Sequence, residues 1–428
     1  MSELKVGLAG LGTVGAAVFR MLERRKAELE ARTGRTLRVT AVAARDRSRD
    51  RGLDLGGVVW FEDPVALARD GDIDVFVELM GGDGDPAKAA VAAALDRGIP
   101  VVTANKALLA KCGVELAQRA EASGAGLHFE AAVAGGIPIV KTLRESLAGN
   151  TIERVSGILN GTCNYILTRM AEEKLSFHVC LGEAQRLGYA EADPTFDIDG
   201  FDTAHKLAIL TSLAFGTQVD ADSIYVEGIR QLTLADLEAA DDLGYRVKLL
   251  GVAVRTETGI EQRVHPTMVP KHWPIAQVSG VTNAVAVDGD AVALTLVGPG
   301  AGGAATASAV VGDLFDVARG ARGYAFGLPV AELTKAERAA MQRHEGGYYI
   351  RLAVVNKPGT AATIARRMAD EQISLESIMQ RRPDGAETAR VILITYATTE
   401  EAVRRAIAAI EADGVISALP QVIRIEKD

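Results

Sequence analysis

Apolar and polar positions follow a regular order over the first part of the chain. Runs typical of buried strands occur at 4–9, 37–43, 74–79, 101–103 and 127–130. Helical spacing of apolar residues occurs between them, at 16–29, 63–70, 86–97 and 107–123. Strands that alternate with helices predict a parallel, doubly wound sheet. We therefore expect an α/β, Rossmann-like domain over residues 1–134.

The pattern changes near residue 135. Amphipathic spacing predicts helices at 138–148, 161–173, 178–187 and 202–215. Strand-like runs fall at 151–158, 260–268, 276–287 and 290–297. This mixture predicts a second, α+β domain over residues 135–320. Its final segment, 303–320, is a helix rich in small residues, which we expect to pack back on the first domain.

The last part of the chain has a third pattern. Strand runs and helical segments follow one another at 349–355, 360–370, 373–380, 390–396, 399–411 and 422–425. The order βαββαβ is the ferredoxin-like arrangement. We expect such a domain over residues 348–428, joined to the second domain by a linker at 321–347.

The composition narrows the possible partners. The formal net charge of -9 argues against nucleic-acid binding, since binders of nucleic acid are usually basic. No uninterrupted apolar segment reaches the roughly 18 residues of a membrane span, so we expect no membrane association. The three cysteines contain no CxxC pair, which favours a reducing compartment. A strand pattern stands where a signal peptide would, so we expect a cytoplasmic protein.

A glycine-rich loop follows the first strand pattern and opens the first helix. Gly10 permits a tight turn, Gly12 lets the backbone approach a pyrophosphate, and Gly15 lets the helix pack on the strand. The amides of Thr13 and Val14, at the start of the helix, would face the negative charge. The loop therefore predicts a dinucleotide cofactor.

The end of the second strand pattern bears on the choice of cofactor. An acid at this position holds a ribose hydroxyl in NAD, whereas an arginine accommodates the 2′-phosphate of NADP. Arg45 comes first here, before Asp46. We expect NADP, with NAD as a possible second cofactor; the alternative is a solvated basic loop.

A concentration of acids ends in a lysine. Glu191, Asp197 and Asp202 precede Lys206, and Asp202 and Lys206 are four residues apart in an apolar helix. That spacing places the carboxylate and the ammonium on one helical face. A lysine held beside carboxylates in a partly closed site can deliver or accept a proton. The alternative is an ordinary solvated ion pair.

Five motifs make the chain resemble the homoserine dehydrogenases. They are VVTANKALLA at 101–110, EAAVAGGIP at 130–138, GILNGTCNY at 157–165, GYAEADP at 188–194 and GAGG at 300–303. The tail resembles an ACT domain, an amino-acid-sensing module. The resemblance implies a reversible, NAD(P)H-dependent reduction of L-aspartate 4-semialdehyde to L-homoserine in threonine and methionine biosynthesis.

The resemblance also implies roles for single residues. Lys206 matches the family's proton donor, and Asp202 and Glu191 match its substrate-binding carboxylates. Lys106 matches a lysine beside the nicotinamide and the substrate. The chemistry agrees, because an ammonium group can stabilise a developing alkoxide and then protonate it.

Further matches concern glycines and a cation. Gly188 matches a cofactor contact, and Gly302 lies in a stretch that closes over the cofactor. The resemblance implies a monovalent-cation site, sodium or potassium, with a structural role; it matches Glu130, Val133, Gly135 and Ile137. The alternative is a glycine-rich turn that binds no ion.

The resemblance to an ACT domain implies an effector site at the turn that contains Asn356 and Gly359. We expect feedback inhibition by L-threonine, although many members carry Asp at the position of Asn356 and often a histidine near Tyr396. The alternative is a domain used only for assembly. ACT domains usually pair, so we expect a homodimer or a homotetramer.

Other interpretations remain open. Cys163 could be the nucleophile of an acylating semialdehyde dehydrogenase, although we favour a buried thiol because no Cys/His motif accompanies it. Asn160, Thr162 and Asn164 fit either substrate contacts or the cap of a helix. A non-catalytic amino-acid sensor is a third possibility, which an intact glycine loop and the lysines argue against.

Overall fold

The computed structural model of the chain describes residues 2–355, 357–381 and 388–426. The first part is a six-stranded parallel sheet in the order β3-β2-β1-β4-β5-β6. Its strands are β1 (Ser2–Ala9), β2 (Arg35–Ala43), β3 (Val59–Phe61), β4 (Val75–Glu78), β5 (Val101–Thr103) and β6 (Leu127–His128). Its helices are α1 (Thr13–Arg24), α2 (Lys26–Thr33), α3 (Pro64–Asp70), α4 (Ala87–Asp96) and α5 (Lys106–Ser123).

The strand order reverses direction between β1 and β4. All four residues of β4 are buried, because helices cover both faces of the sheet. The connections that follow the neighbouring strands β1 and β4 run in opposite directions, which opens a crevice at the carboxyl ends of the two strands. The predicted Rossmann-like, doubly wound sheet is confirmed.

The second part forms helices on one face of a mostly antiparallel sheet. Its strands are β7 (Ile152–Ile158), β8 (Tyr225–Val226), β9 (Tyr245–Thr256), β10 (Gly259–Pro270), β11 (Thr282–Gly289) and β12 (Ala293–Pro299). Its helices are α6 (Ile139–Lys141), α7 (Gly161–Glu173), α8 (Phe177–Arg186), α9 (Thr195–Ile198), α10 (Phe201–Phe215), α11 (Leu234–Asp242) and α12 (Gly303–Ala318). The α+β character is as predicted.

Helix α12 returns to the first sheet. Ala307, Val310 and Leu314 share a buried cluster with Val18 and Leu22 of α1. Small side chains let the two helices approach closely, because a Cβ added at the first residue of α12 would lie 3.0 Å from a methyl group of α1.

The tail has the ferredoxin-like order. It contains β13 (Glu345–Val355), α13 (Thr360–Asp370), β14 (Leu375–Arg381), β15 (Thr388–Thr395), β16 (Thr398–Thr399), α14 (Glu400–Ala412) and β17 (Gln421–Ile425). Strand β17 pairs in parallel with β10, where Thr267 and Met268 face Arg424 and Ile425. The tail and the second part therefore share one 11-stranded sheet.

Several predicted elements differ from the structure. Strand β9 and helix α11 were not predicted, because Lys248 and Gly251 interrupt the apolar run of β9. The predicted helix 138–148 is wrong in form: after α6 the chain continues as a π-helical turn over Thr142–Ser146. The predicted strand 276–287 begins only at Thr282, because a 3₁₀ turn at Pro274–Gln277 precedes it.

In the part of the chain that the structure describes, no helix has the length and apolar character needed to cross a bilayer.

Candidate active site

The crevice at the ends of β1 and β4 holds a cavity of about 600 Å³. The glycine loop forms one wall of the cavity. A Cβ at Gly10 (φ +102°) would lie 2.5 Å from the carbonyl oxygen of Leu79, and one at Gly15 would lie 1.9 Å from that of Gly10. A Cβ at Gly12 would meet nothing within 4 Å, so there is room for a ligand against the backbone. The loop thus has the form that a dinucleotide requires.

Helix α1 begins at this wall without a side-chain cap. Its N-cap is Gly12, and the amides of Thr13 and Val14 belong to the first turn, whose N–H groups lack partners within the helix. Val14 also lines a neighbouring cavity. The start of the helix is therefore available to an anion.

A basic loop closes the far end of the 600 Å³ cavity. Arg45, Arg49 and Arg51 line it together with Asp46. Asp46 is occupied locally: its Oδ1 accepts hydrogen bonds from the hydroxyl and amide of Ser48, which lower the pKa of the carboxyl. Arg45, the residue predicted at the end of the second strand, thus lies in the lining of the cavity.

Arg51 is a residue of this site that the sequence did not single out. Its guanidinium donates to the carbonyl oxygens of Leu11 (3.1 Å) and Asp46 (2.7 Å). It therefore ties the basic loop to the glycine loop. The run of arginines at 45–51 was visible in the sequence, but the contact across 40 residues was not.

A second cavity of about 320 Å³ adjoins the first. Leu79, Met80 and Gly81 line both cavities, so the two cavities form one cleft. Lys106 and Lys206 line the second cavity from different parts of the fold. The structure thus brings both predicted lysines to the space beside the glycine loop.

Asp202 holds the two lysines together. Its Oδ2 lies 2.7 Å from Lys206 Nζ, and its Oδ1 lies 3.1 Å from Lys106 Nζ. The Asp202 side chain is only 5% exposed. The solvated ion pair considered from the spacing alone is therefore wrong, because the carboxylate is buried between two ammonium groups.

The elements fix this geometry at their ends. Lys106 is the first residue of α5, directly after the N-cap Asn105, whose Oδ1 accepts the amide of Leu108. Asp202 and Lys206 lie on the first turns of α10, which follows Gly200 at φ +91°. The carboxyl end of β5 and the start of α10 thus meet at the cleft.

Lys206 has a further acceptor. Its Nζ donates to the carbonyl oxygen of Leu159 at 2.7 Å, in addition to Asp202. An ammonium group has three N–H donors. Two are therefore used within the protein, and the third is left for a group in the cleft.

The charges of the cluster are set by one another. Burial alone would raise the pKa of Asp202, but Lys206 and Lys106 outweigh it and hold that pKa well below its usual range. Burial, and then the charge of Asp202, raise the pKa of the nearby Asp197. Asp202 is therefore ionised throughout the ordinary pH range.

Glu191 and Gly188 lie outside this cluster. Glu191 is exposed, and neither residue lines the second cavity. Their loop is attached to α7, because the hydroxyl of Thr162 donates to the carbonyl oxygen of Tyr189 at 2.6 Å. Gly302 (φ +106°) precedes α12, and its neighbour Gly300 lines the second cavity.

The loop of the predicted cation site is tightly built. Both carboxylate oxygens of Glu130 accept amides, from Val140 (2.9 Å) and Lys141 (2.8 Å), and burial raises the pKa of this group. Gly135 adopts φ +52°, and a Cβ there would lie 2.4 Å from the carbonyl oxygen of Gly300. Among the described residues no group of three or more His, Cys, Asp or Glu side chains could hold a metal ion.

Two other members of the cation set were predicted through their backbone. Val133 and Ile137 are buried on the same loop, and the carbonyl oxygen of Ile137 accepts the amide of Ile139 at 2.8 Å. A carboxylate and carbonyl oxygens are ligands suited to a hard cation. The donor chemistry of the loop thus fits a monovalent cation, although amides already occupy the carboxylate.

Cys163 is a structural residue. It is completely buried, and its Sγ donates to the carbonyl oxygen of Asp197 at 3.3 Å. Burial raises the pKa of the thiol well above its usual value, which suppresses the thiolate that a nucleophile requires.

In the ferredoxin-like tail, Asn356 lies outside the described residues. Gly359 adopts φ +94° directly before α13, whose N-terminus has no side-chain cap. The hydroxyl of Thr360 donates to the carbonyl oxygen of Val355 at 3.0 Å, which closes the turn.

Three family models match consecutive parts of the chain. The model of the homoserine dehydrogenase NAD-binding domain matches residues 10–130, that of homoserine dehydrogenase matches 138–315, and that of the ACT domain matches 348–414.

Homoserine dehydrogenases are also found among the proteins that are similar to the chain in sequence and in structure. The homoserine dehydrogenases of Neisseria gonorrhoeae and Pseudomonas aeruginosa are 44% and 45% identical to the chain, over 100% of its length and 99% and 100% of theirs. A crystal structure of a homoserine dehydrogenase from Thiobacillus denitrificans superposes with a TM-score of 0.94 at 45% identity and covers 100% of this chain and 99% of its own. A hyperthermophilic archaeal homoserine dehydrogenase in complex with NADPH has a TM-score of 0.63 at 28% identity, over 73% of this chain and 97% of its own.

Proposed function

The chain belongs to the homoserine dehydrogenase family, and from that premise we propose how its own residues carry out the NAD(P)-dependent interconversion of L-aspartate 4-semialdehyde and L-homoserine. One observation carries the proposal: the Lys206 ammonium donates two hydrogen bonds, to Asp202 and to the carbonyl oxygen of Leu159, and its third N–H remains for a group in the cleft. When bound, the nicotinamide cofactor supplies the hydride. The burial of Cys163 argues against an acylating enzyme. The presence of both lysines in the cleft argues against a non-catalytic sensor.

We assign the proton to Lys206. Reduction of the aldehyde places negative charge on its oxygen, which the Lys206 ammonium stabilises and then protonates. In the oxidative direction the same nitrogen, as the neutral amine, accepts the proton of the hydroxyl group and becomes the ammonium. Asp202 keeps the ammonium in place, and Lys106 adds a second positive charge beside the substrate.

The cofactor follows from the basic loop. We propose NADP, bound by the glycine loop through Gly10, Gly12 and the start of α1, with Arg45 on the 2′-phosphate. The NADPH complex of the archaeal relative supports this choice. We propose NAD as a second cofactor of the same site, because the glycine loop would bind the pyrophosphate of either nucleotide.

The remaining site residues lie outside the cluster of Asp202, Lys106 and Lys206, and we propose their roles from the family resemblance. Glu191 would bind the amino group of the substrate, with Gly188 and Gly302 near the cofactor, once the loops on which they lie close over the cleft. Glu130 with the carbonyl groups of Val133, Gly135 and Ile137 would hold sodium or potassium as a structural ion. We assign that ion no part in the reaction.

Lys206→Ala tests the central assignment. We expect kcat to fall by at least about 100-fold in both directions, the low end for loss of a general acid–base group. NADPH binding, measured by fluorescence titration, should change little, because Lys206 belongs to the substrate side of the cleft. Lys111→Ala is the matched control: its ammonium pairs with Asp83 at the surface, and its kinetics should be those of the unaltered chain.

A Lys206→Ala variant with unaltered turnover would remove Lys206 from the mechanism. A variant that is inactive but also fails to bind NADPH would point to a structural role instead.

We also propose that the ACT domain binds an amino acid, L-threonine, at the turn of Asn356 and Gly359, and that the enzyme is a homodimer or homotetramer. The uncapped N-terminus of α13 supports this, because its amides suit the carboxylate of an amino acid. Gly359→Asp places a competing carboxylate there and should raise the threonine concentration for half-inhibition at least about tenfold.

Gly414→Asp is the control for that experiment, since Gly414 has a similar positive φ (+67°) and open surroundings in the same domain. Equal responses of the two variants to threonine, or no inhibition of the unaltered enzyme, would argue against the effector site. Light scattering measured with size exclusion gives the number of subunits.

A further inference from the structure

Asn160 stands at the junction between β7 and α7 and is only 5% exposed. Its Oδ1 accepts the amide of Cys163 at 2.8 Å, so it is the N-cap of α7. Capping accounts for the carbonyl half of the side chain. The amide half remains to be explained.

The amide nitrogen of Asn160 bridges two carboxylates. Its Nδ2 lies 2.8 Å from Asp202 Oδ2 and 2.8 Å from Asp197 Oδ1. A side-chain amide has two N–H donors. Both are therefore used on acids of the active-site cluster, and neither is used by the helix that Asn160 caps.

This bridge acts on the oxygen that holds Lys206. Asp202 Oδ2 receives both the Asn160 amide and the Lys206 ammonium, the latter at 2.7 Å. The preceding residue, Leu159, gives its carbonyl oxygen to the same ammonium. One dipeptide thus positions both the proton-carrying group and its counter-ion.

The bridge also separates two like charges. Asp197 and Asp202 face the same amide, and direct approach of two carboxylates would be unfavourable. A neutral donor between them stabilises both in the ionised state. An N-cap alone would need only an acceptor, which serine or aspartate supplies equally well.

We propose that Asn160 is a positioning residue for the proton transfer, because its amide holds Asp202 against Lys206 and keeps Asp197 at a fixed distance from that pair. The inference rests on the role proposed for Lys206. It assigns Asn160 no contact with the substrate or the cofactor.

Two substitutions separate this role from capping. Asn160→Ser and Asn160→Asp both keep an acceptor for the N-cap but lose the bridge, and Asn160→Asp also adds a third carboxylate; Asn160→Ser should therefore melt above Asn160→Ala, which loses both the cap and the bridge. Neither serine nor ionised aspartate can donate to both acids. We expect kcat to fall roughly 10- to 100-fold in both, the range for a misplaced reacting group, with a smaller change in KM.

The pH profile gives an independent reading. Asn160→Asp adds a negative charge beside Asp197 and Asp202, which raises the pKa of neighbouring groups. The profile of kcat/KM for this variant should therefore move to higher pH. Because that charge would act whatever the role of Asn160, the deciding variant is Asn160→Ser, which removes the amide without adding a charge: a residue that only caps α7 would leave the Asn160→Ser profile in place. Loss of the amide removes a hydrogen bond that favours the ionised carboxylates, so a positioning role predicts a shift to higher pH in Asn160→Ser as well, and this test stands even if Asn160→Asp does not fold.

Parallel assays of Lys206→Ala separate the two levels of the proposal. If Lys206→Ala is inactive while Asn160→Ser retains the kcat and pH profile of the unaltered enzyme, the role of Asn160 is overturned and that of Lys206 stands. If Lys206→Ala stays active, both fall.

Discussion

At the scale of single residues, a buried charge is stabilised where several groups share it. Asp202 stays ionised because two lysines and one amide meet its oxygens. Lys248 is the opposite case: it is 5% exposed, and burial lowers its pKa to about 8. Its ammonium donates to the backbone carbonyl oxygen of Val278 and to Oδ1 of the Asn164 side chain, without a carboxylate within ion-pairing distance among the described residues.

Lys248 therefore predicts a specific dependence of stability on pH. Its folded-state pKa is lowered from 10.5 to about 8, so the folded chain loses this proton before the unfolded chain does. The penalty for the buried charge is complete below pH 8 and is relieved as the pH rises from 8 towards 10.5. Its size is of the order of 3 kcal/mol.

Lys248→Met removes that penalty. Its melting temperature relative to the unaltered chain should be highest near pH 7 and should decline as the pH rises through 8 to 10, as followed by circular dichroism. Lys174→Met is the control, because Lys174 is 55% exposed. A difference that is independent of pH would show that Lys248 does not titrate in this range.

Arg45 gives a prediction on cofactor choice. Loss of a charged hydrogen bond to a phosphate costs about 1.5–3 kcal/mol, so Arg45→Ala should raise the KM for NADP roughly 10- to 100-fold and leave that for NAD nearly unchanged. Arg47, which lies outside the cavity lining and faces the ring of Trp60, is the control. Equal effects on both cofactors would contradict the assignment of Arg45 to the 2′-phosphate.

The sequence predicted the residues of the site better than their contacts. The four-residue spacing of Asp202 and Lys206 is local, and it gave a correct pair. The contact of Lys106 with Asp202 joins distant elements, and only the family resemblance pointed to both residues. The amide of Asn160 was left open between a cap and a ligand contact, because spacing cannot show which acids a distant helix brings within 2.8 Å.

At the scale of elements, the strands and helices with a clean period were predicted and the irregular ones were not. The βαβ order of the first sheet follows from alternation alone. Strand β9 was not predicted because its buried residues include Lys248, and a charged residue within an apolar run argues against a buried strand. The parallel pairing of β10 with β17 escaped because register between distant strands is set by tertiary packing.

Strand β17 is held by Arg424 as well as by its backbone. The Arg424 side chain is 3% exposed and pairs with Glu227 at 2.5 Å and with Glu400 at 2.6 Å. These acids come from the second part of the chain and from the tail, so one guanidinium joins both. The pKa of Glu400 is lowered in spite of its burial, because Arg424 and then Arg404 favour its ionised form.

Arg424→Met should therefore be strongly destabilising. Removal of one partner from a buried pair leaves an uncompensated charge and costs about 3–5 kcal/mol, measurable as a lower urea midpoint. Arg404→Met is the control: Arg404 also pairs with Glu400 but is 48% exposed, and its loss should cost at most about 1 kcal/mol. Similar midpoints for the two variants would contradict the account of this cluster.

At the scale of the whole molecule, the tail is part of the structure of the catalytic half. A chain that ends at residue 340 would lose β17, expose the edge of β10 at Thr267 and Met268 and leave Glu227 without Arg424. We expect it to melt at a lower temperature and to aggregate, because an open strand edge is a template for association. Dynamic light scattering and thermal unfolding would measure both effects, and a monodisperse chain of unaltered stability would contradict the expectation.

The shared sheet limits how a signal from the tail can travel. Two bodies joined by a flexible tether can swing apart, but hydrogen bonds across β10 and β17 make such a hinge costly. Helix α10, which carries Asp202 and Lys206, packs on this sheet with Thr203 against Gly251. We therefore expect a ligand bound to the tail to act on Lys206 through a small change in the twist of the shared sheet, which would alter the tilt of α10.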